Sequence, residues 1–321
     1  MTIRRTVLSL AALSLMMVTV VTPTTFAAPT VTTTINVGDF PTSVAFSPNG
    51  KLAYVTNEDD DTVSVITVAT GAVTGTINVD DEPSSVAFSP DGRLAYVTND
   101  WGDSVSVITV KTGIVARTIN VGNAPQSVAF SPDGKLAYVT NYSDDTVSVI
   151  TVATGAVTGT INVENGPSSV AFSPNGKLAY VANYGDDTVS VITVATGAVT
   201  GTINVDDEPS SVAFSPDGRL AYVVISDSYS VYIITVKTGI VSSTIPLSGS
   251  PWSVAFSPDG KKAYVTQMSA DTVSVFTVKT GTVTGTIAVG DRPTSVAFSP
   301  NGKLAYVVNE YTDSVSVINT K

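Results

Sequence analysis

The sequence predicts an all-β protein, a single seven-bladed β-propeller with four-stranded antiparallel blades, and three observations carry that prediction. One unit recurs: Ser-Val-Ala-Phe-Ser-Pro-(Asp/Asn)-Gly begins at Ser43, Ser85, Ser127, Ser169, Ser211, Ser253 and Ser295, always 42 residues apart. A fixed period of this size marks a solenoid or a propeller. Each unit consists of short runs of Val, Ile, Thr, Tyr and Phe divided by turn residues, and no amphipathic helix pattern intervenes. The two ends are ordinary repeat sequence: Thr34-Ile35-Asn36-Val37 precedes Thr76-Ile77-Asn78-Val79 by one period. A solenoid needs capping repeats. Here the first strand instead completes the last unit, which stops short at Lys321, so the ring closes and its sheet edges are shielded.

The elements follow in chain order. Residues 1–27 read as a cleaved export signal: Arg4 and Arg5 lead an apolar run over residues 7–21, and Thr25-Phe26-Ala27 offers small residues for cleavage. The run is short for a membrane span, and the short basic start fits general secretion better than a twin-arginine route. Residues 28–321 are then the propeller, seven repeats of 42 residues. In the first unit strand a covers residues 43–46, and Ser47-Pro48-Asn49-Gly50 turns it into strand b at 52–56. Strand c follows at 62–68, and Ala69-Thr70-Gly71 turns it into strand d at 73–79, Gly providing a left-handed residue.

The unit resembles a known family at Tyr54-Val55-Thr56-Asn57, Tyr96-Val97-Thr98-Asn99 and Tyr138-Val139-Thr140-Asn141. These are similar to the YVTN-type β-propeller repeat of surface-layer-like and lactonase-like secreted propellers. Tyr180-Val181-Ala182-Asn183 and Tyr306-Val307-Val308-Asn309 keep the pattern loosely, whereas Tyr222-Val223-Val224-Ile225 and Tyr264-Val265-Thr266-Gln267 lose its Asn. The resemblance implies the propeller fold strongly and an activity weakly, because one fold hosts many functions.

Composition removes most chemistry. The chain has 27 acidic and 16 basic residues, a net charge of −11, no His and no Cys. Disulfides, thiol nucleophiles, Cys-rich zinc sites and Ser-His-Asp triads are therefore excluded. An acidic chain is also a poor partner for nucleic acid. Loss of the signal removes Arg4 and Arg5 and leaves 27 acids against 14 bases.

Strand alternation puts the a–b and c–d turns on one face of the disc, and the b–c and d–a loops on the other. The turn face holds Asp91, Asp133, Asp217 and Asp259 with most of the bases; the loop face takes the other 23 acids and Arg292. The loop face is also where the copies differ. Residues 60–79, 144–163 and 186–205 are identical, whereas the b–c loops read Glu58-Asp59-Asp60, Asp100-Trp101-Gly102, Tyr142-Ser143-Asp144 and Tyr184-Gly185-Asp186. Loops that vary on a rigid scaffold carry binding.

The candidate ligand- or partner-binding residues are Trp252, Tyr229, Gln267 and Met268, which break the repeat between blades 5 and 6, together with Trp101, Tyr142 and Tyr184. Asp61, Asp103, Asp145, Asp187, Asp271 and Asp313 open strand c and are expected to hold loop backbone. Asp59, Asp80, Asp81, Glu82, Asp206, Asp207 and Glu208 are candidate calcium ligands, although no calcium-loop spacing is present. No catalytic constellation occurs at one place alone.

The expected product is a non-catalytic binding or surface-interaction module working through its acidic, variable loop face. It is expected to be secreted, periplasmic or cell-surface-associated and monomeric. It needs no cofactor unless calcium binds, and its partner is an extracellular or envelope protein or glycan. It binds no nucleic acid and inserts into no membrane after signal removal. The alternatives are a lactonase-like hydrolase and a purely structural surface or matrix protein.

Overall fold

A computed structural model describes residues 29–320, so the export signal expected at 1–27 lies outside the described residues. Among the described residues twenty-eight strands form seven four-stranded sheets. In blade 1 strands a to d are Pro41–Phe46, Leu52–Asn57, Thr62–Thr67 and Ala72–Asn78, each pairing antiparallel with the next. Strand a starts two residues earlier than its sequence pattern predicts, because Pro41 pairs with Asn57 across a bulge that skips Thr42. Pro is tolerated there because a bulge at a strand start asks for no ladder N–H.

Ring closure occurs as the end sequences predict. Thr30–Asn36 is strand d of blade 7 and pairs with Ser314–Asn319. The register is that of every other blade: Asn36 faces Ser314 as Asn78 faces Thr62, and the bulge at Thr32 matches the one at Thr74. The same hydroxyl contact recurs too, Thr32 Oγ1 donating to the Val317 carbonyl at 3.1 Å and Thr74 Oγ1 to Val65 at 3.4 Å.

Strand b shows why strict alternation is weak in this sequence. Ala53, Tyr54 and Val55 are all buried, since both faces of each blade pack against neighbours. The Tyr of each b strand meets the Phe ending strand a of the next blade, from Tyr54–Phe88 round to Tyr306–Phe46, with ring centroids 4.6–4.7 Å apart. The contact that spans the chain ends is therefore the same as the six inside it. Strand d, the outer edge, is exposed apart from residues such as Ile77, which suits its Thr and Gly content.

Two polar devices set the loops. On the turn face Ser47 Oγ accepts from the Leu52 N–H at 2.9 Å and donates to Asn49 at 2.9 Å, while Gly50 takes φ +67°, a conformation that favours Gly. On the loop face the expected role of the strand c aspartates is realised. Asp61, Asp103, Asp145, Asp187, Asp271 and Asp313 accept the backbone N–H of Glu82, Ala124, Gly166, Glu208, Arg292 and Phe40, at 2.9–3.1 Å. Each carboxylate thus ties a blade to the loop entering the next, and the last of them ties blade 7 to blade 1. All six aspartates have positive φ, which Asp tolerates better than most residues.

Candidate functional site at the channel mouth

The seven a strands neighbour one another around the axis, and the b–c and d–a loops form a collar above them. One residue per blade leaves strand b at equivalent positions: Glu58, Asp100, Tyr142, Tyr184, Ser226, Met268 and Glu310. Each donates its N–H to a carbonyl of the d–a loop, to Phe40, Glu82, Ala124, Gly166, Glu208, Ser250 and Arg292 respectively, at 2.7–3.1 Å. This shared bond fixes the ring of side chains at the mouth of the channel.

The ring divides by chemistry. Blades 7, 1 and 2 contribute three carboxylates. Glu310 is buried and lies 2.7 Å from Arg292 Nε, and the Arg292 guanidinium in turn sits 4.8 Å over the Tyr311 ring. Burial raises the Glu310 carboxyl, and Arg292 only partly offsets it. Glu58 is half-buried; burial, and then the charges of Glu82, Glu310, Asp100 and Asp59, push it up to about 7. Burial also raises Asp100, although Gln126 Nε2 donates to it at 2.9 Å.

Blades 3 and 4 contribute Tyr142 and Tyr184, and blade 6 adds Trp252 from its strand a. The rings of Tyr142 and Tyr184 are 6.4 Å apart, and Trp252 meets Tyr184 edge-on at 6.4 Å. Trp252 belongs to blade 6 and Tyr184 to blade 4, so the indole leans across blade 5. It can do so because blade 5 carries a small buried Ser226 at its ring position, and Ser210 Oγ anchors the Trp252 carbonyl at 2.9 Å. The Tyr184 hydroxyl donates to Glu208 at 2.6 Å; burial and then this carboxylate raise its pKa, which keeps it a donor.

Of the residues singled out in the sequence, the structure brings together Tyr142, Tyr184 and Trp252. Met268 sits half-buried in the ring, in the short helical turn Met268–Ala270. Trp101 stands on the blade 2 loop, 75% exposed. Tyr229 is exposed at the start of strand c, outside the row, in the left-handed conformation its aspartate counterparts adopt.

Gln267 does not face the mouth. It is fully buried and repeats the work of the Asn it replaces, donating to Thr272 and Ser274 at 3.0 and 2.9 Å. Asn57 accepts from the Gly38 N–H and Gln267 from Gly249, one period position later, because Gln is one methylene longer.

The candidate calcium ligands are occupied singly or spread out: Asp80 accepts from Ser104 at 2.7 Å, Glu208 from Tyr184, and Asp206 from Tyr232. Among the described residues no group of three or more carboxylates is arranged to hold a metal ion.

Glu58, Asp100 and Glu310 were not singled out as a site by sequence reasoning. The signal was present, since aligning the units on the residue after strand b places all three in consecutive blades of the closed ring.

The turn face is built differently. Its aspartates pair locally: Asp91 with Arg93, Asp133 with Lys135, Asp217 with Arg219 and Asp259 with Lys261, at 2.6–3.4 Å. Ser89 and Ser131, then the backbone N–H groups of Arg93 and Lys135, hold Asp91 and Asp133 down to about 2. Two grooves of about 970 and 740 Å³ open between blades on this face, the larger lined by Asp217, Arg219, Asp259 and Lys261. They are walled by repeat residues and do not reach the variable loops.

Fold and site together define a seven-bladed propeller with a chemically divided mouth. The chain belongs to the lactonase, 7-bladed beta-propeller family, whose model matches residues 21–162 and 248–321. A second family model, the choice-of-anchor I domain, matches residues 102–253. Among solved structures the chain is similar to a chain of Kuenenia stuttgartiensis hydrazine synthase, with 26% identity and a TM-score of 0.83 over 89% of this chain and 97% of that one. No curated protein matches it. No helix among the described residues is long and apolar enough to cross a membrane.

Proposed function

We propose that this chain is an exported, non-catalytic propeller that binds a partner protein or glycan at the cell surface through its acidic loop face. The observation that carries the reading is the convergence of Tyr142, Tyr184 and Trp252 on the one face where near-identical repeats diverge. The match to a choice-of-anchor domain supports a surface location. Aromatic side chains supply large contact area at little conformational cost, which suits them to recognition.

The test is affinity capture from the native envelope with residues 28–321 immobilised. Wild type should retain a discrete partner, and Trp252→Ala with Tyr184→Ala should lose it. Lys135→Ser on the turn face should leave capture unchanged. Equal capture by all three proteins would refute the reading.

Family membership is consistent with a second reading, a lactonase-like hydrolase. Glu58 is the carboxyl best poised as an acid or base, being half-ionised near neutral pH. The binding reading expects no lactone turnover above the buffer rate. Turnover abolished by Glu58→Gln would establish the enzyme instead.

A further inference from the structure

The two halves of the mouth have complementary needs. Glu58 and Asp100 are half-buried carboxylates at equivalent positions of neighbouring blades, and neither has an ion-pair partner among the described residues. Arg292, the base of this face, is already committed to Glu310 and Tyr311. Negative charges gathered in a partly dry site are unfavourable until a cation or a proton joins them. The aromatic arc begins on the next blade: Asp100 reaches across to Gln126 of blade 3, the blade that carries Tyr142.

We propose that the mouth receives a Lys or Arg side chain presented on a protruding loop of a partner protein, with its charge between Glu58 and Asp100, its aliphatic stem against Tyr142, and the loop that carries it against Tyr184 and Trp252. The inference rests on the binding reading above and supplies the chemistry of its partner. A basic side chain is the ligand that uses both halves, because it joins an apolar stem to a charged head. The head also gains from aromatic faces beside it. A neutral glycan would use the aromatic row and leave the carboxylates uncompensated. A bare metal ion would leave the aromatic row unused. The mouth is a rim of loops on which Tyr142 stands exposed, and such a rim admits a loop carried on a macromolecule.

The experiment uses residues 28–321 with Trp101→Phe, which leaves Trp252 as the reporter, since the chain has two Trp. The probes are the capped pentapeptides Gly-Gly-Arg-Gly-Gly, Gly-Gly-Lys-Gly-Gly and Gly-Gly-Glu-Gly-Gly, with chitotriose as the neutral ligand. The Arg and Lys peptides should change Trp252 emission saturably, more weakly in high salt, and the Glu peptide should not. Glu58→Gln with Asp100→Asn should weaken the Arg peptide by about tenfold or more, with a thermal melt no lower than that of the unsubstituted protein. Calorimetry with the same peptides and unsubstituted residues 28–321 should show the same saturable binding and so exclude an optical artefact.

Failure of both basic peptides to bind folded protein overturns the inference, as does binding unaffected by the two carboxylate changes. Saturation by chitotriose or the Glu peptide alone would overturn it while leaving the binding reading intact. Envelope capture undiminished by Trp252→Ala with Tyr184→Ala would remove both.

Discussion

Glu58 shows how the collar writes itself into a measurable property. In the unfolded chain this carboxyl ionises near its ordinary value of 4.5, and in the fold only at about 7. Between those values the native state holds a proton that the unfolded state has released, so stability falls as pH rises through the window and the loss is complete above it. The melting temperature should therefore decline from pH 4.5 to 7, and Glu58→Gln should flatten the decline. Thermal melts of both proteins across that range check this, and an unchanged slope in the variant would refute it. Asp91 and Asp133 carry the opposite sign. Held at about 2, they contribute stability above 3.8 that is lost as pH falls through their folded values. The contributions of these three groups together are greatest between the two windows. The strand c aspartates were legible from their place before Thr or Ser, because their partners lie in the same local loop system. The carboxylate arc was not, since Glu58 and Glu310 become neighbours only when the ring closes.

At the scale of the element, the junctions between blades differ in strength. Six of them carry an aspartate clasp onto the next loop, and four of the Asn or Gln side chains ending strand b also hold a glycine N–H of the loop entering their own blade. Blade 5 lacks both devices. Ile225 replaces the Asn, and Tyr229 replaces the Asp, so the Ser250 N–H donates to Ser269 Oγ instead. Ser226 Oγ to the Pro251 carbonyl at 3.1 Å, and Tyr232 to Asp206, connect the blade in other ways. The clasp is a backbone N–H bonded to a carboxylate, so Asp145→Ala should destabilise the protein by about 1.5–3 kcal/mol. Tyr229→Ala should change little. Equilibrium urea unfolding of the two variants checks the contrast, and hydrogen exchange should show the Gly166 amide exposed in the first variant alone.

For the whole molecule, closure matters more than any blade. The strand Thr30–Asn36 completes blade 7 in the common register, and Tyr306–Phe46 and Asp313–Phe40 repeat across the chain ends the contacts made at other junctions. Removing residues 28–36 would expose the hydrogen-bonding edge of Ser314–Asn319 and the apolar side chains under Ile35. The truncated chain is expected to melt at a lower temperature and to associate through that open edge. Scanning calorimetry with light scattering checks this, and a monomer with unchanged melting would refute it.

The sequence by itself determined the seven-fold repeat, the four strands of each blade, the closing partner of the first strand and the segregation of charge between faces. These follow from local periodicity and turn chemistry, which each unit of 42 residues states again. It also determined where the variable residues lie, because identical neighbours made the differences visible. Only the tertiary structure decided which of those residues meet. Gln267 turned inward to a backbone role, Tyr229 stayed outside the row, and Trp252 crossed blade 5 to reach Tyr184. The reason is physical. A repeat specifies what surrounds a side chain along the strand, whereas the mouth is assembled from one residue per blade, and its contacts depend on how large the neighbour one or two blades away happens to be.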